Sequence, residues 1–244
     1  MLIYIIFGFV IYLIQAKFVY FPDKSDFYSC GSFNGAQKLN ANGTRFYFKR
    51  NSERLLIIYH GNAGSACDRN FLKKVFEDAG YSYIFVEYAG YANDKKSPSK
   101  KLLMQDVRNI NSFVKDGKFK KVVLFGESLG TALASYHSTL ADANGIILVA
   151  PFDSMLNVAK RQYPMYPVGL LLKEDYDNIK NLKDYKGKIT IIHGSKESII
   201  PISMARNLFE NLDTSKKSFI AIEGAGHNDI YDFKHAINAI NESL

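Results

Sequence analysis

Unbroken apolar runs alternate with helically spaced ones along most of this chain. Leu55–Tyr59 carries five apolar residues in succession, and Tyr83–Val86, Lys121–Phe125, Gly145–Val149 and Ile189–Ile192 follow the same habit. Such runs suit strands buried on both faces of a parallel sheet. Arg45–Phe48 and Ser218–Ile222 read as further strands. Between them lie helical patterns. In Asn70–Ala79, Phe71, Leu72, Val75 and Phe76 fall on one face, and Gly80 follows where a helix end favours glycine. Lys100–Val114, the segment after Ser128, Ile202–Asn211 and Asp232–Ile240 read as helices too. The alternation predicts the α/β class: a mostly parallel sheet with helices on both faces. Sheets of this kind bind ligands outside the carboxyl ends of their strands, so residues just after each strand become the candidates for chemistry.

The first residues break this rhythm. From Leu2 to Ile14 no residue is charged. Counted on to Ala16, a helix there would be about 24 Å long, short of the ~30 Å hydrocarbon core of a bilayer. Lys17 and the aromatic cluster Phe18–Phe21 could extend it to an interface. The pattern divides the chain into an apolar helix over 1–21 and a domain over 22–244. A membrane anchor is the favoured reading of the first part and a buried N-terminal helix the alternative, with the side of the membrane open. Within the domain, the irregular stretch around 155–185 is free to form a short cap. It carries Tyr163, Met165, Tyr166, Leu170 and Leu171, apolar residues that suit a slender acyl group or simple packing on the core.

Composition changes this picture little. The chain has 244 residues, 47% of them apolar and 23% charged, which excludes bulk disorder. Its net charge of +7 is spread over short lysine doublets rather than clustered, so nucleic-acid binding is not expected. Attraction to anionic lipid headgroups stays open. Cys30 and Cys67 show neither metal spacing nor a CxxC pattern; the count alone allows a disulfide, and free thiols are the favoured reading.

The chemistry gathers at the strand ends. GESLG, residues 126–130, places Ser128 between two glycines just past an apolar strand and before a helix, the pattern of a nucleophile elbow. A serine hydroxyl needs a base. His227, in EGAGHND after the last strand, is the candidate, whereas His60 and His193 read as loop-shaping, His137 as packed and His235 as surface. The base needs an acid. Glu197, in HGSKESIIP after the preceding strand, is favoured, and Asp153 is the rival. YHGNAGS, residues 59–65, follows an earlier strand and can present backbone N–H groups to an oxyanion. Asn62 is assigned one donor and Leu129, after the nucleophile, the other. No G-K-[ST] follows that loop, so a Walker-type phosphate loop is excluded.

These motifs, in this order, resemble the α/β-hydrolase superfamily of serine hydrolases, and more narrowly its small N-terminally anchored abhydrolase-domain branch, related to serine aminopeptidase-like and depalmitoylase-like members. FVYFPDK, HGNAGS, EYAGYANDKKSPS, GESLGTALA, APFDSM, HGSKESIIP and GAGHND carry the likeness over nearly the whole chain. It implies Ser128 as nucleophile, His227 as base, Glu197 as acid, and Asn62 and Leu129 as oxyanion donors. Two departures stand out. Glu197 occupies a position usually held by Asp. EYAGYA replaces Asp-Tyr-Arg-Gly-Tyr-Gly, losing an arginine expected to tie that loop down and placing Ala92 where the last glycine belongs. The function implied is hydrolysis of carboxylic esters or thioesters, peptides not excluded, on a small-molecule or lipid-linked acyl substrate. No metal or organic cofactor is implied. The alternative is a catalytically silent membrane-associated scaffold of the same fold. Localisation is expected to be membrane-associated, at the inner membrane if the source is bacterial.

Overall fold

A computed structural model describes residues 2–244, with the side chains of Leu2, Ile3 and Ile5 outside the description. Its centre is an eight-stranded sheet: β1 (Gln37–Ala41), β2 (Thr44–Lys49), β3 (Arg54–Tyr59), β4 (Ser82–Glu87), β5 (Lys121–Glu127), β6 (Gly145–Val149), β7 (Lys188–Gly194) and β8 (Lys217–Ile222). The spatial order is 1-2-4-3-5-6-7-8. β1 and β2 form an antiparallel hairpin, β2 runs antiparallel to β4, and all other pairings are parallel.

Alternation along β3 shows why the parallel strands are unbroken apolar runs. Leu55, Ile57 and Tyr59 join the core on one face, and Leu56 and Ile58 join the core on the other. On the first face lie α4 (Lys100–Asp116), α5 (Leu129–His137) and α9 (Ile202–Glu210). On the second lie α3 (Leu72–Asp78) and α10 (Lys234–Ser243). The stretch after β6 is helical in pieces: α6 (Met155–Gln162), α7 (Val168–Leu171) and α8 (Asn178–Leu182). Ser154 caps α6 through Asn157 N–H, and Asp177 caps α8 through Lys180 N–H.

The N-terminal run forms α1 (Leu2–Ile14) and a short turn of helix, α2 (Ala16–Val19). α1 lies against the cap. Tyr4 stacks on Tyr166 with ring centroids 4.5 Å apart. The Gln15 amide donates to the Leu171 carbonyl at 3.0 Å, and its oxygen accepts from Lys173 N–H at 2.6 Å. Tyr20 is buried and donates to Glu174, with the Tyr176 hydroxyl 2.7 Å away. Among the described residues no helix is long and apolar enough to cross a membrane.

The cysteines correct the sequence reading. Cys30 and Cys67 form a disulfide across a Cα separation of 6.1 Å, and the expected free thiols are absent. Spacing could not reveal the pairing because it arises from aromatic packing. Phe27 and Phe33 both stack on Tyr47 of β2, at 4.5 and 4.1 Å, which brings Cys30 beside the turn that carries Cys67.

Candidate active site

The turn between β5 and α5 holds Ser128 at φ 50°, ψ −116°, a left-handed φ that a residue with a side chain rarely adopts. The two flanking glycines answer a steric demand. A Cβ on Gly126 would sit 2.6 Å from the Gly130 oxygen, and one on Gly130 would sit 2.0 Å from the Tyr59 carbonyl oxygen. Only hydrogen atoms fit at both places, and the elbow can close.

The Ser128 hydroxyl donates to His227 Nε2 at 3.1 Å. On the other side of the ring, His227 Nδ1–H donates to Glu197 Oε2. Glu197 is buried, and its second oxygen accepts from the Ile199 and Ile200 amides at 2.6 and 3.0 Å. Burial pushes the Glu197 carboxyl up, but its bond to His227 and the two amides outweigh this and hold it below the usual carboxylate range. The rival acid is engaged elsewhere. Asp153 is buried and accepts from Ser154 N–H, the Asn157 amide and the Asn207 amide at 2.5, 2.9 and 2.6 Å. The other histidines stand apart. His137 is buried with Nδ1 2.8 Å from the Tyr59 hydroxyl, and burial lowers it to about 4. His193 Nε2–H donates to the Ile200 carbonyl, and His235 is exposed.

Asn62 and Leu129 line the same cavity as Ser128 and His227. Among the described residues neither backbone N–H donates to another protein group. The Asn62 carbonyl is held from two sides, by Phe21 N–H at 2.9 Å and by the Tyr91 hydroxyl at 2.7 Å. Its side-chain amide donates to the Val19 carbonyl at 3.0 Å. The Tyr88 hydroxyl donates to the His60 carbonyl at 2.6 Å. The tyrosines of EYAGYA and the segment after α2 thus fix the loop that presents Asn62. Neither role is legible in the sequence, because both depend on contacts between distant segments.

The EYAGYA loop is not loosened by its missing arginine. Arg45, on β2, donates to the carbonyls of Tyr91 and Ala92 and supplies a tie from the adjacent strand. Ala92 carries φ 43°, so the glycine expected there is replaced without a change to an ordinary backbone conformation. Below the loop, Glu87 faces His60 across 3.5 Å with both groups buried. Burial raises Glu87 to about 8 against the opposing Ala66 N–H bond and the Arg45 charge. Burial and the Arg69 charge lower His60 to about 3. Burial thus favours the neutral form of both groups.

A further support lies under the elbow. Glu127, the residue before Ser128, receives two hydrogen bonds from Arg69, at 2.9 and 2.6 Å. Its carboxyl lies below the usual range because this pair outweighs burial. The cavity above Ser128 has a volume of about 550 Å³, within the usual range for ligand pockets. Its walls are mostly apolar and come from the sheet edge, the cap and α1: Tyr12, Val19, Phe21, Met155, Leu171 and Ile200. Tyr12 shows that α1 is part of the pocket, a role the expectation of an anchor did not include.

A family model described as alpha/beta hydrolase of unknown function (DUF1057) matches residues 36–163, just over half of the chain. The chain belongs to this α/β-hydrolase family. Among curated relatives, the uncharacterized protein Rv2307c of Mycobacterium tuberculosis is 26% identical over 245 residues, covering 94% of this chain and 87% of its own length. The uncharacterized membrane protein YNL320W of Saccharomyces cerevisiae is 30% identical over 188 residues, covering 73% and 66%. Among solved structures, the esterase Pf2001 of Pyrococcus furiosus superposes with a TM-score of 0.73 at 14% identity, over 93% of this chain and 97% of that one. At that identity the likeness shows the fold alone.

Proposed function

We propose that this α/β hydrolase is a serine hydrolase that cleaves carboxylic esters or thioesters through an acyl-enzyme on Ser128. The observation that carries the reading is the 3.1 Å approach of Ser128 to His227, with Glu197 on the opposite ring nitrogen. As Oγ attacks the acyl carbonyl, the hydroxyl proton passes to His227 Nε2 and the carbonyl electrons move onto oxygen. The N–H groups of Asn62 and Leu129 receive that negative charge in a site that holds them ready before reaction. Collapse of the intermediate breaks the bond to the leaving alcohol or thiol, which takes the proton from His227. Water, deprotonated by His227, then releases the acid. Glu197 keeps the ring in the tautomer that accepts at Nε2 and stabilises the imidazolium.

The apolar cavity above Ser128 favours an acyl group of aliphatic character, including one linked to a lipid. A fluorophosphonate probe tests the reading. Wild type is expected to label and Ser128→Ala to lose the label. A folded wild type that does not label would make the chain a silent member of its fold.

A further inference from the structure

α1 has two apolar faces, and the protein covers one. Gly8, Ile11, Tyr12 and Gln15 turn toward the cavity and the cap. Ile6, Phe9, Val10 and Leu13, spaced i, i+3, i+4, i+7, form an exposed stripe on the outside. Phe18 in α2 and Phe21 continue it. Met165 and Leu170, 77% and 86% exposed, stand out from the cap. Phe18 and Phe21 also line the cavity that opens on Ser128, and the other exposed residues lie on α1 and the cap, the segments that help wall it; large apolar side chains exposed together in this way mark an interaction surface.

The segments that carry this surface hold charges of one sign. Residues 2–22 and 155–173 contain Lys17, Lys160, Arg161 and Lys173 and no Asp or Glu. All four cations are exposed or half-buried, and Lys173 lies over the Tyr12 ring. An apolar crest on segments whose own charges are all cationic, with the carboxylates Asp23, Glu174 and Asp175 just beyond their ends in sequence, matches a bilayer with anionic headgroups. A thirteen-residue helix is about 20 Å long, too short for a ~30 Å hydrocarbon core but suited to lying in the interface.

We propose that α1, α2 and the cap form a docking surface for an anionic lipid bilayer, with α1 lying in the plane of the interface and the mouth of the Ser128 cavity facing the acyl chains. The proposal deepens the hydrolase reading, on which the use of that mouth rests. It places the substrate among amphiphiles that reside in the membrane. Tyr20, Glu174 and Gln15 hold α1 and α2 to the cap, so docking requires no rearrangement of the pocket wall.

Sedimentation of the full-length chain with vesicles tests this. The comparison is between phosphatidylcholine vesicles and vesicles with about 30% phosphatidylglycerol, in low salt and in about 0.5 M NaCl. The expected result is at least about tenfold more binding to the anionic vesicles at low salt, weakened by NaCl. Phe9→Glu/Leu13→Glu should lose that binding by about tenfold or more. Leu170→Glu, on the cap, should weaken it independently. These side chains do not line the cavity, so p-nitrophenyl acetate hydrolysis should stay near the wild-type rate in each variant. Three results would overturn the proposal: no binding by wild type, undiminished binding by all variants, or a dimer that the same substitutions dissolve without any vesicle binding. Retention that resists alkaline carbonate would overturn it in favour of a spanning helix. Vesicle binding by a wild type that hydrolyses nothing would leave the surface standing and remove the hydrolase reading alone.

Discussion

Replacing Arg69 by methionine would test the support beneath the elbow. Arg69 and Glu127 form a two-bond pair with side chains 17% and 14% exposed. The Tyr231 hydroxyl is the other donor to Glu127, at 3.3 Å. Breaking a buried pair from one side costs about 3–5 kcal/mol, and the partial exposure here argues for the low end, about 3 kcal/mol. For a chain of this size that is a fall in Tm of about 6–12 °C. The loss should depend on pH, and the sign is fixed. In wild type, Glu127 is held below its ordinary value, so its contribution is present above about pH 4.3 and is lost as pH falls through the folded value. In Arg69→Met only burial remains to act strongly, and it raises Glu127. The folded variant then binds protons that the unfolded chain releases, so its stability falls as pH rises above about 4.3. The gap from wild type should be wider at pH 8 than at pH 5. Arg69→Met/Glu127→Gln should recover most of the loss. The chain has no tryptophan, so urea unfolding is best followed by far-ultraviolet circular dichroism. A loss below about 1 kcal/mol that is equal at both pH values would refute the argument that this pair supports the elbow.

Three further outcomes are expected. Glu197→Gln should lower kcat on a p-nitrophenyl ester by on the order of 10⁴-fold while Asp153→Asn changes it far less, and the reverse ranking would move the acid to the loop after β6. Gly130→Ala puts a methyl group 2.0 Å from the backbone oxygen of Tyr59, so a destabilisation of about 3 kcal/mol or loss of soluble protein is expected, and a thermal melt like that of wild type would contradict the contact. Cys30→Ser/Cys67→Ser opens a loop between residues 37 apart, and chain entropy alone gives a cost of up to about 3.8 kcal/mol, readable as a lower urea midpoint that reductant reproduces in wild type.

The parts of this molecule that repeat a local rule could be read from its sequence. Leu55–Tyr59 and Gly145–Val149 are strands because an unbroken apolar run needs two covered faces, and both lie in the interior of the sheet. β1 is hard to read from sequence because Gln37–Ala41 is an edge strand with polar residues facing water, and its local mark is the turn at Asn42-Gly43, with φ 52° and 88°. Ser128, Glu197 and His227 were found by motif and strand end, and the structure brings their side chains together. What sequence could not supply were the ties from distant segments: Arg45 on the EYAGYA loop, Tyr91 and Phe21 on Asn62, and Arg69 on Glu127. None has a fixed spacing from the residue it holds. The wall supplied by α1 was hidden for another reason. An apolar run reports that a helix avoids water, not whether protein or lipid covers it.

The bridge between Cys30 and Cys67 spans the β1–β2 hairpin and the turn that follows it. That turn, around 50–54, is exposed and flanked by Arg50 and Arg54. A trypsin nick there would leave two pieces still covalently joined, running as one band on a non-reducing gel and as two after thiol treatment. Each piece would also keep its place in the sheet, since β2 is zipped along β4 on the other side of the cut. The molecule can therefore lose chain continuity beside its central strands without losing either fragment, so long as its surroundings stay oxidising.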